Sequence, residues 1–291
     1  VVDVRSEESE FGRWTAARWA PPPSSQLFDI VERIWYFDGT MAFPKERVFP
    51  DGRAELIVML DEPHRDGDDA RLASFPAVCI NGLRTRSSVV VAPPGRCRVV
   101  GIRFEPTGTR RVLRASMQAL VDVTVDLRDA LGRAATELGE RCNIAAESAG
   151  PSPSRAAIDV VRAAAQWVLQ RLGDDIGVDP AVLWTTRAIR EARGGVAVEA
   201  LGSTIGLRRA ALAQRFSDAV GVTPKRFARI VRFHTALALL GRRGRISHAA
   251  TDLGYYDQAH MHRDFAEFAG MTPGAFVSAN RYPGSASVAE L

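Results

Sequence analysis

Two stretches of the chain, Phe216-Ser-Asp-Ala-Val-Gly221-Val-Thr223-Pro224-Lys-Arg-Phe227 and Phe265-Ala-Glu-Phe-Ala-Gly270-Met-Thr272-Pro273-Gly-Ala-Phe276, carry the same residue types at the same intervals. Phe, Gly, Thr, Pro and Phe recur at a fixed offset of 49. Upstream, Ile205-Gly206 corresponds to Leu253-Gly254 at an offset of 48, so the second turn is one residue longer. Identities of such residue types mean that one unit has been used twice.

Each unit reads as helix, tight turn, helix. In the first, Val198, Leu201 and Ile205 share a helical face. Gly206 tolerates positive φ and ends that helix. Leu212 and Phe216, four apart, form the buried face of the next one. In the second, Ile246, Ala249, Ala250 and Leu253 make the first stripe, Gly254 breaks it, Asp257 caps the next helix, and Met261 and Phe265 are again four apart. Thr223-Pro224 and Thr272-Pro273 start further helices, with Thr as cap and Pro in the first turn. Two short helices about a glycine turn, repeated within a basic segment, are a tandem helix-turn-helix pattern. The connector over 224–240 has no internal breaker; a helix of about 16 residues is roughly 24 Å long. Such a rod can hold two recognition helices near one DNA turn, about 34 Å, apart. Asp179-Pro180 starts another helix, through about Arg193, before Gly194-Gly195.

On these residues the stretch 178–280 resembles the DNA-binding domain of the AraC/XylS family of bacterial transcription regulators. The likeness lies in 201–216, 221–227 and 246–276, and is densest at Gly254-Tyr-Tyr-Asp-Gln-Ala-His-Met-His-Arg-Asp-Phe265. The resemblance implies seven helices, two recognition helices in successive major grooves of double-stranded DNA, and RNA polymerase as a partner. With Leu212 and Phe216 inward, Arg209, Ala210, Ala213 and Gln214 face the groove. With Met261 and Phe265 inward, Ala259, His260 and Arg263 do, and the family's base contacts fall on these positions. Arg263 can pair with guanine and Gln214 with adenine, while alanines can touch thymine methyls. Arg208, Lys225, Arg226, Arg229 and Arg232 are candidates for phosphate. The sequence departs from the family at Gln214, where arginine is common, and at Arg208, where a capping serine is usual. His260 and His262 are two apart and cannot share a helix face, so they are no metal pair; His234 and His248 read as connector or surface residues.

Charge agrees with a polyanion partner at the back. Residues 1–177 carry 23 Lys+Arg against 25 Asp+Glu, and residues 178–280 carry 14 against 8. Only Lys45 and Lys225 are lysines, and arginine favours bidentate phosphate and base contacts. With 46% hydrophobic and 25% charged residues among 291, collagen-like and disordered readings are excluded. No apolar run reaches the length of a membrane helix. The N-terminus is polar rather than signal-like. Cys79, Cys97 and Cys142 lack the spacing of a disulfide framework or zinc site. A cytoplasmic protein without membrane contact is expected.

The front half reads as short strands between turns. Ile34-Trp35-Tyr36-Phe37 is closed by Asp38-Gly39, Pro50-Asp51-Gly52 is a turn, and 54–60, 87–92 and 97–104 are strand-like. Helical patterns follow at 108–113 and about 127–142, a linker at 145–154, and a helix over 156–172 with Ile158, Val161, Ala165, Val168 and Leu172 on one face. His64 is the only histidine before residue 234, so a metal-dependent barrel lacks its ligands. There is no nucleophile elbow or phosphate-cradling loop. Glu55, Asp51 and Arg53 form a possible polar cluster, and an apolar ligand pocket is a better functional reading than catalysis.

The expectation is therefore two domains: an N-terminal, mainly β barrel or sandwich with flanking helices, and a C-terminal all-α domain of seven helices. Its divisions are a leader (1–25), a β-rich effector-sensing and dimerisation domain (26–144), a linker and connecting helix (145–177), the DNA-binding domain (178–281) and a tail (282–291). The function expected is sequence-specific, DNA-binding transcription regulation modulated by a small-molecule effector whose pocket is unassigned. A homodimer fits, and no catalytic group, metal or cofactor is expected. Alternatives are an interaction module with a degenerate helix-turn-helix pair, or a barrel enzyme fused to a DNA-binding domain. A repair alkyl-transfer protein is a further case, but it would need a cysteine metal cluster.

Overall fold

In the computed structural model the described residues are 1–9, 12–40, 45–69, 71–173, 177–243 and 254–279. The amino-terminal half is built from ten strands: β1 (Asp3–Ser9), β2 (Gly12–Trp19), β3 (Val31–Thr40), β4 (Lys45–Val48), β5 (Glu55–Met59), β6 (Arg65–Asp66), β7 (Val78–Asn81), β8 (Ser88–Val91), β9 (Arg96–Phe104) and β10 (Thr124–Asp126). They form a seven-stranded sheet in the order β1-β2-β3-β9-β5-β7-β10 and a three-stranded sheet in the order β4-β8-β6. The pairings are antiparallel.

Successive residues of the aromatic run in β3 bury on opposite faces, as a pleated strand requires. Ile34 and Tyr36 join Leu56, Val58, Ile80, Val100 and Ile102 on the face covered by helices. Trp35 and Phe37 face the other way, toward the smaller sheet, and line a cavity there. The helices are α1 (Gly108–Leu113), α2 (Leu127–Leu131), α3 (Arg133–Ser148) and α4 (Pro153–Arg171). Ala157, Val160, Val161, Ala164, Trp167 and Val168 of α4 are buried in the same core. The Trp167 indole Nε1 donates to the Ala134 carbonyl at 2.9 Å, tying α4 to α3.

Four sequence expectations change. The leader at 1–25 is instead largely a hairpin, β1 on β2, in register Asp3↔Arg18 through Ser9↔Gly12. Apolar alternation is confined to its open end, where Val2, Val4, Ala17 and Trp19 pack on the core, and beyond that β1 is polar, with a Ser6–Thr15 hydroxyl contact at 2.9 Å. The helix expected over 127–142 is split at Gly132, whose φ is +54°, and its second part runs to Ser148. Only 149–152 remain of the linker, because Ser152 caps α4 and Pro153 starts it. On α4, Val161, Val168 and Leu172 are buried as expected, but Ile158 and Ala165 lie at the edge, since the stripe is centred on Trp167.

The carboxyl-terminal half is helical: α5 (Pro180–Glu191), α6 (Val198–Thr204), α7 (Arg209–Val220), α8 (Pro224–Arg243), α9 (Gln258–Ala269) and α10 (Pro273–Ala279). The sequence repeat is a structural one. Gly221 and Gly270 both end a helix in the left-handed region, at φ +103° and +66°. Thr223 and Thr272 both accept a cap bond, from Arg226 N at 3.3 Å and Ala275 N at 3.1 Å. Phe216 meets Phe227 with ring centroids 5.5 Å apart, and Phe265 meets Phe276 at 6.2 Å. Phe233 of α8 packs on Phe265 and Phe268 at 5.1 and 5.3 Å, which makes the connector part of the second unit's core. At 20 residues α8 is longer than the sequence suggests, about 30 Å at 1.5 Å per residue. Ile246, His248, Ala249, Ala250 and Leu253 lie outside the described residues, as do the seventh helix of the expectation and the tail at 282–291.

Candidate nucleic-acid interface

The helices α7 and α9 each bury one face and offer the other. On α7, Leu212 and Phe216 are buried, while Arg208, Arg209, Ala210 and Gln214 are exposed and Ala213 is half-buried. Arg209 approaches Glu199 only to 3.9 Å, with both side chains largely in solvent. On α9, Met261, Phe265 and Phe268 are buried, while Ala259, His262 and Arg263 are exposed. Lys225, at the start of α8, is exposed as well.

His260 is placed differently from the expectation. It is half-buried, its Nε2 lies 3.1 Å from Arg232 Nη2, and its ring meets Tyr255 edge-on at 5.3 Å. Burial first, and then the Arg232 charge, holds its pKa below the usual histidine range. The ring is therefore neutral at neutral pH, and because guanidinium only donates, Nε2 accepts.

Arg229 and Arg232, two phosphate candidates, are committed inside the protein. Arg229 donates to Asp264 at 2.8 and 3.1 Å and to Glu267 at 2.5 Å. Arg232 donates to the other Asp264 oxygen at 3.3 Å and lies 4.6 Å over the Tyr255 ring. Asp264 has 0% of its surface exposed. A carboxylate buried to that degree requires cations, which α8 supplies across the helix contact. Arg226 is shared with Glu267 at 3.2 Å. These arginines fix α9 on α8 instead of waiting for phosphate, a role invisible in sequence because Asp264 is 32 and 35 residues from its partners.

A cavity of about 230 Å³ lies between the two sheets and the carboxyl-terminal helices. The Asp51, Arg53 and Glu55 cluster anticipated from sequence lines it. So do His234 and Leu237 of α8 and Phe276 of α10, which sequence reading left out of any site. Burial, reinforced by the charges of Arg103 and Arg53, pushes His234 down to about 4. Among the described residues, no group of His, Cys, Asp and Glu is arranged to hold a metal ion, and no helix is long and apolar enough to cross a membrane.

Residues 201–279 match the family model of a helix-turn-helix domain. The carboxyl third contains a helix-turn-helix domain. Residues 20–126 match a domain of unknown function, DUF6597. No curated protein matches the chain. Among solved structures, ToxT from Vibrio cholerae O395 superimposes with a TM-score of 0.45 at 10% identity, over 82% of this chain and 98% of that one. ToxT bound to (E)-4-(8-methylnaphthalen-1-yl)but-3-enoic acid gives 0.45 and 10% over 81% and 97%. The AraC-like transcriptional activator CuxR gives 0.29 at 15% identity, over 87% and 89%.

The β-rich half grips the helix-turn-helix domain at several points. Arg187 pairs with Asp29 at 2.7 Å, and Arg190 pairs with Glu105. Arg110 pairs with Asp218 of α7. Ser87 donates from its backbone N to the Phe268 carbonyl at 2.7 Å and from its hydroxyl to the Ala269 carbonyl at 3.2 Å. Phe49 inserts its ring between Phe233 and Phe276, at 6.4 and 5.8 Å. Gly52, at φ +81°, faces Phe227 so closely that an added Cβ would come within 2.8 Å of the ring. Both helix-turn-helix units are thus touched, and the exposed faces of α7 and α9 stay uncovered.

Proposed function

We propose that this chain regulates transcription by laying α7 and α9 in successive major grooves of double-stranded DNA, under the control of a small molecule held in the cavity. One observation carries the reading: two repeated helices expose matching faces while their opposite faces form one core. Arg263 suits guanine O6 and N7, Gln214 suits adenine N6 and N7, and Arg209 can serve base or phosphate. Ala210, Ala213 and Ala259 are short enough to meet thymine methyls. Arg208 and Lys225 are the phosphate partners best placed, with Arg226 next. His260 reaches a base only by releasing Arg232.

Effector control requires a ligand with different affinity for two arrangements of the halves. A cavity wall shared by β-strands, α8 and α10 supplies that difference, because the ligand touches both halves at once. The reading extends to a cytoplasmic protein that meets RNA polymerase at its promoter and pairs with a second copy there. It assigns no catalytic group, metal or cofactor.

Selection of duplexes from a random pool by the full chain tests this. The expected product is a bipartite motif with elements about 10 base pairs apart. Its affinity should fall when a cavity-facing residue such as Leu237 is enlarged to Trp. Recovery of no preferred sequence overturns the reading.

A further inference from the structure

Among the described residues, two carboxyl groups face the cavity without an ion-pair partner. Glu46 comes from β4 in the small sheet and Glu55 from β5 in the large one. Among the described residues Glu46 makes no ion pair or hydrogen bond. Burial pushes it up to about 7. Glu55 accepts one bond, from Trp35 Nε1 at 2.6 Å. Burial raises its pKa against that bond, and the Glu46 charge acts in the same direction as burial, so the two groups feel each other across the cavity.

Three of the neighbouring arginines have partners elsewhere. Arg33 pairs with Glu32 at 3.4 Å, although its charge also reaches Glu55. Arg103 pairs with Glu32 at 3.2 Å and with Asp51. Arg84 donates to the Asp122 carbonyl at 3.4 Å and to Thr124 at 2.7 Å. Arg53, which also lines the cavity, has its Nε buried without a hydrogen-bond partner, but among the described residues no cation forms an ion pair with Glu46 or Glu55.

The walls around the two carboxyls are aromatic. Trp35 lies so close over Gly101 that an added Cβ there would meet the indole at 2.1 Å, which fixes the ring as the cavity floor. Phe37, Phe49 and Phe75 line the same space. An apolar cavity of about 150 Å³ holds benzene, so this one suits a molecule of roughly a dozen non-hydrogen atoms.

We propose that the cavity takes a singly charged, mostly apolar organic amine, with its ammonium between Glu46 and Glu55 and its body against Trp35 and the phenylalanine rings. The ammonium supplies the charge that these carboxyls lack, and aromatic faces attract cations. An anion would instead take Arg53, whose Nε is buried without a hydrogen-bond partner and whose charge bears on His234 at the α8 wall, and would leave both carboxyls without an ion pair. The proposal rests on the reading of the cavity as the effector site.

Calorimetric titration of the full chain tests it with two isosteric series: tryptamine, tryptophol and indole-3-acetate, then phenethylamine, 2-phenylethanol and phenylacetate. The amines should bind at least about tenfold more tightly than their alcohols and acids. Glu46→Gln and Glu55→Gln should each remove most of that advantage and leave alcohol binding unchanged, with thermal melting confirming that both variants fold. Tightest binding by the acids, or an amine preference that survives both substitutions, overturns the amine assignment while the effector cavity stands. Failure of every compound to bind overturns both.

Discussion

The two helix-turn-helix units share a sequence pattern but are secured in opposite ways. At the offset of 49, the first unit has Arg208, Gln214 and Arg215 where the second has Asp257, Arg263 and Asp264. In the second unit Asp257 caps α9, accepting from His260 N at 2.6 Å. There Asp264 is buried against two arginines of α8. In the first unit Arg208 gives α7 no side-chain cap. Arg215 reaches Asp179 only at 3.5 Å and is half in solvent. What secures the end of α7 is the β-rich half, through Arg110–Asp218 and the close approach of Met117 and Val121 to Gly221. The second unit has its own cap and buried ion pairs besides its contacts with Ser87 and Phe49, whereas the first has neither and leans on the β-rich half at Asp218 and Gly221.

The sharpest way to break this contrast is at Asp264 and Arg215, one position used twice. Asp264→Ala leaves two guanidiniums without their buried partner and should cost about 3–5 kcal/mol. Arg215→Ala removes an exposed pair and should cost no more than about 1 kcal/mol. Urea unfolding of the full chain measures both, and equal costs would remove the distinction between the units.

Base reading is the next largest effect. Arg263→Ala should cost about 1–3 kcal/mol at the selected site and relax one base preference. Gln214→Ala should cost less, since a neutral amide makes weaker bonds than a guanidinium. Lys225→Ala, at a phosphate candidate, should instead weaken all sequences alike and flatten the salt dependence by about one unit of slope. Gel-shift titrations at several salt concentrations separate the three. If Arg263→Ala leaves affinity and preference intact, α9 has been given the wrong role.

The same contrast explains what the sequence disclosed. The repeat was legible because helices and their caps are local: Phe216, Gly221, Thr223 and Pro224 state their roles within a dozen residues. Strands β3, β5, β8 and β9 were legible from apolar or aromatic runs between turns. The hairpin of β1 and β2 was not, because its apolar residues, Val2, Val4, Ala17 and Trp19, are confined to one end and the rest of β1 is polar. The Asp264 network and the part of the cavity wall made by Glu46 and His234 were hidden for a different reason. Each joins residues far apart in the chain, where a lone carboxylate or histidine looks like surface.

Capping comes third. Asp257→Ala should destabilise by about 1 kcal/mol, and Arg208→Ser should stabilise by up to about the same amount by giving α7 the cap it lacks. Since Arg208 is also a phosphate candidate, the stabilised variant should bind DNA less tightly, which separates fold from affinity at one residue.

The smallest effect belongs to pH and to the second unit alone. The folded His260 pKa lies below its unfolded value, chiefly through burial. Between those two values the unfolded chain binds more protons than the folded one, so stability falls as pH drops below the ordinary histidine range and is regained as pH rises through it. Protonation also ends the acceptor role of Nε2 toward Arg232 and sets like charges together, loosening α9 from α8. The first unit has Ala211 at the matching position and no such titration. His260→Gln keeps an acceptor that does not titrate. Protection of the α9 amides, taken relative to their intrinsic exchange rates at each pH, should therefore fall between about pH 7 and pH 5 in the parent chain and stay level in the variant, while protection across α7 changes equally in both. Equal acid sensitivity of α9 in parent and variant would move the cause away from His260.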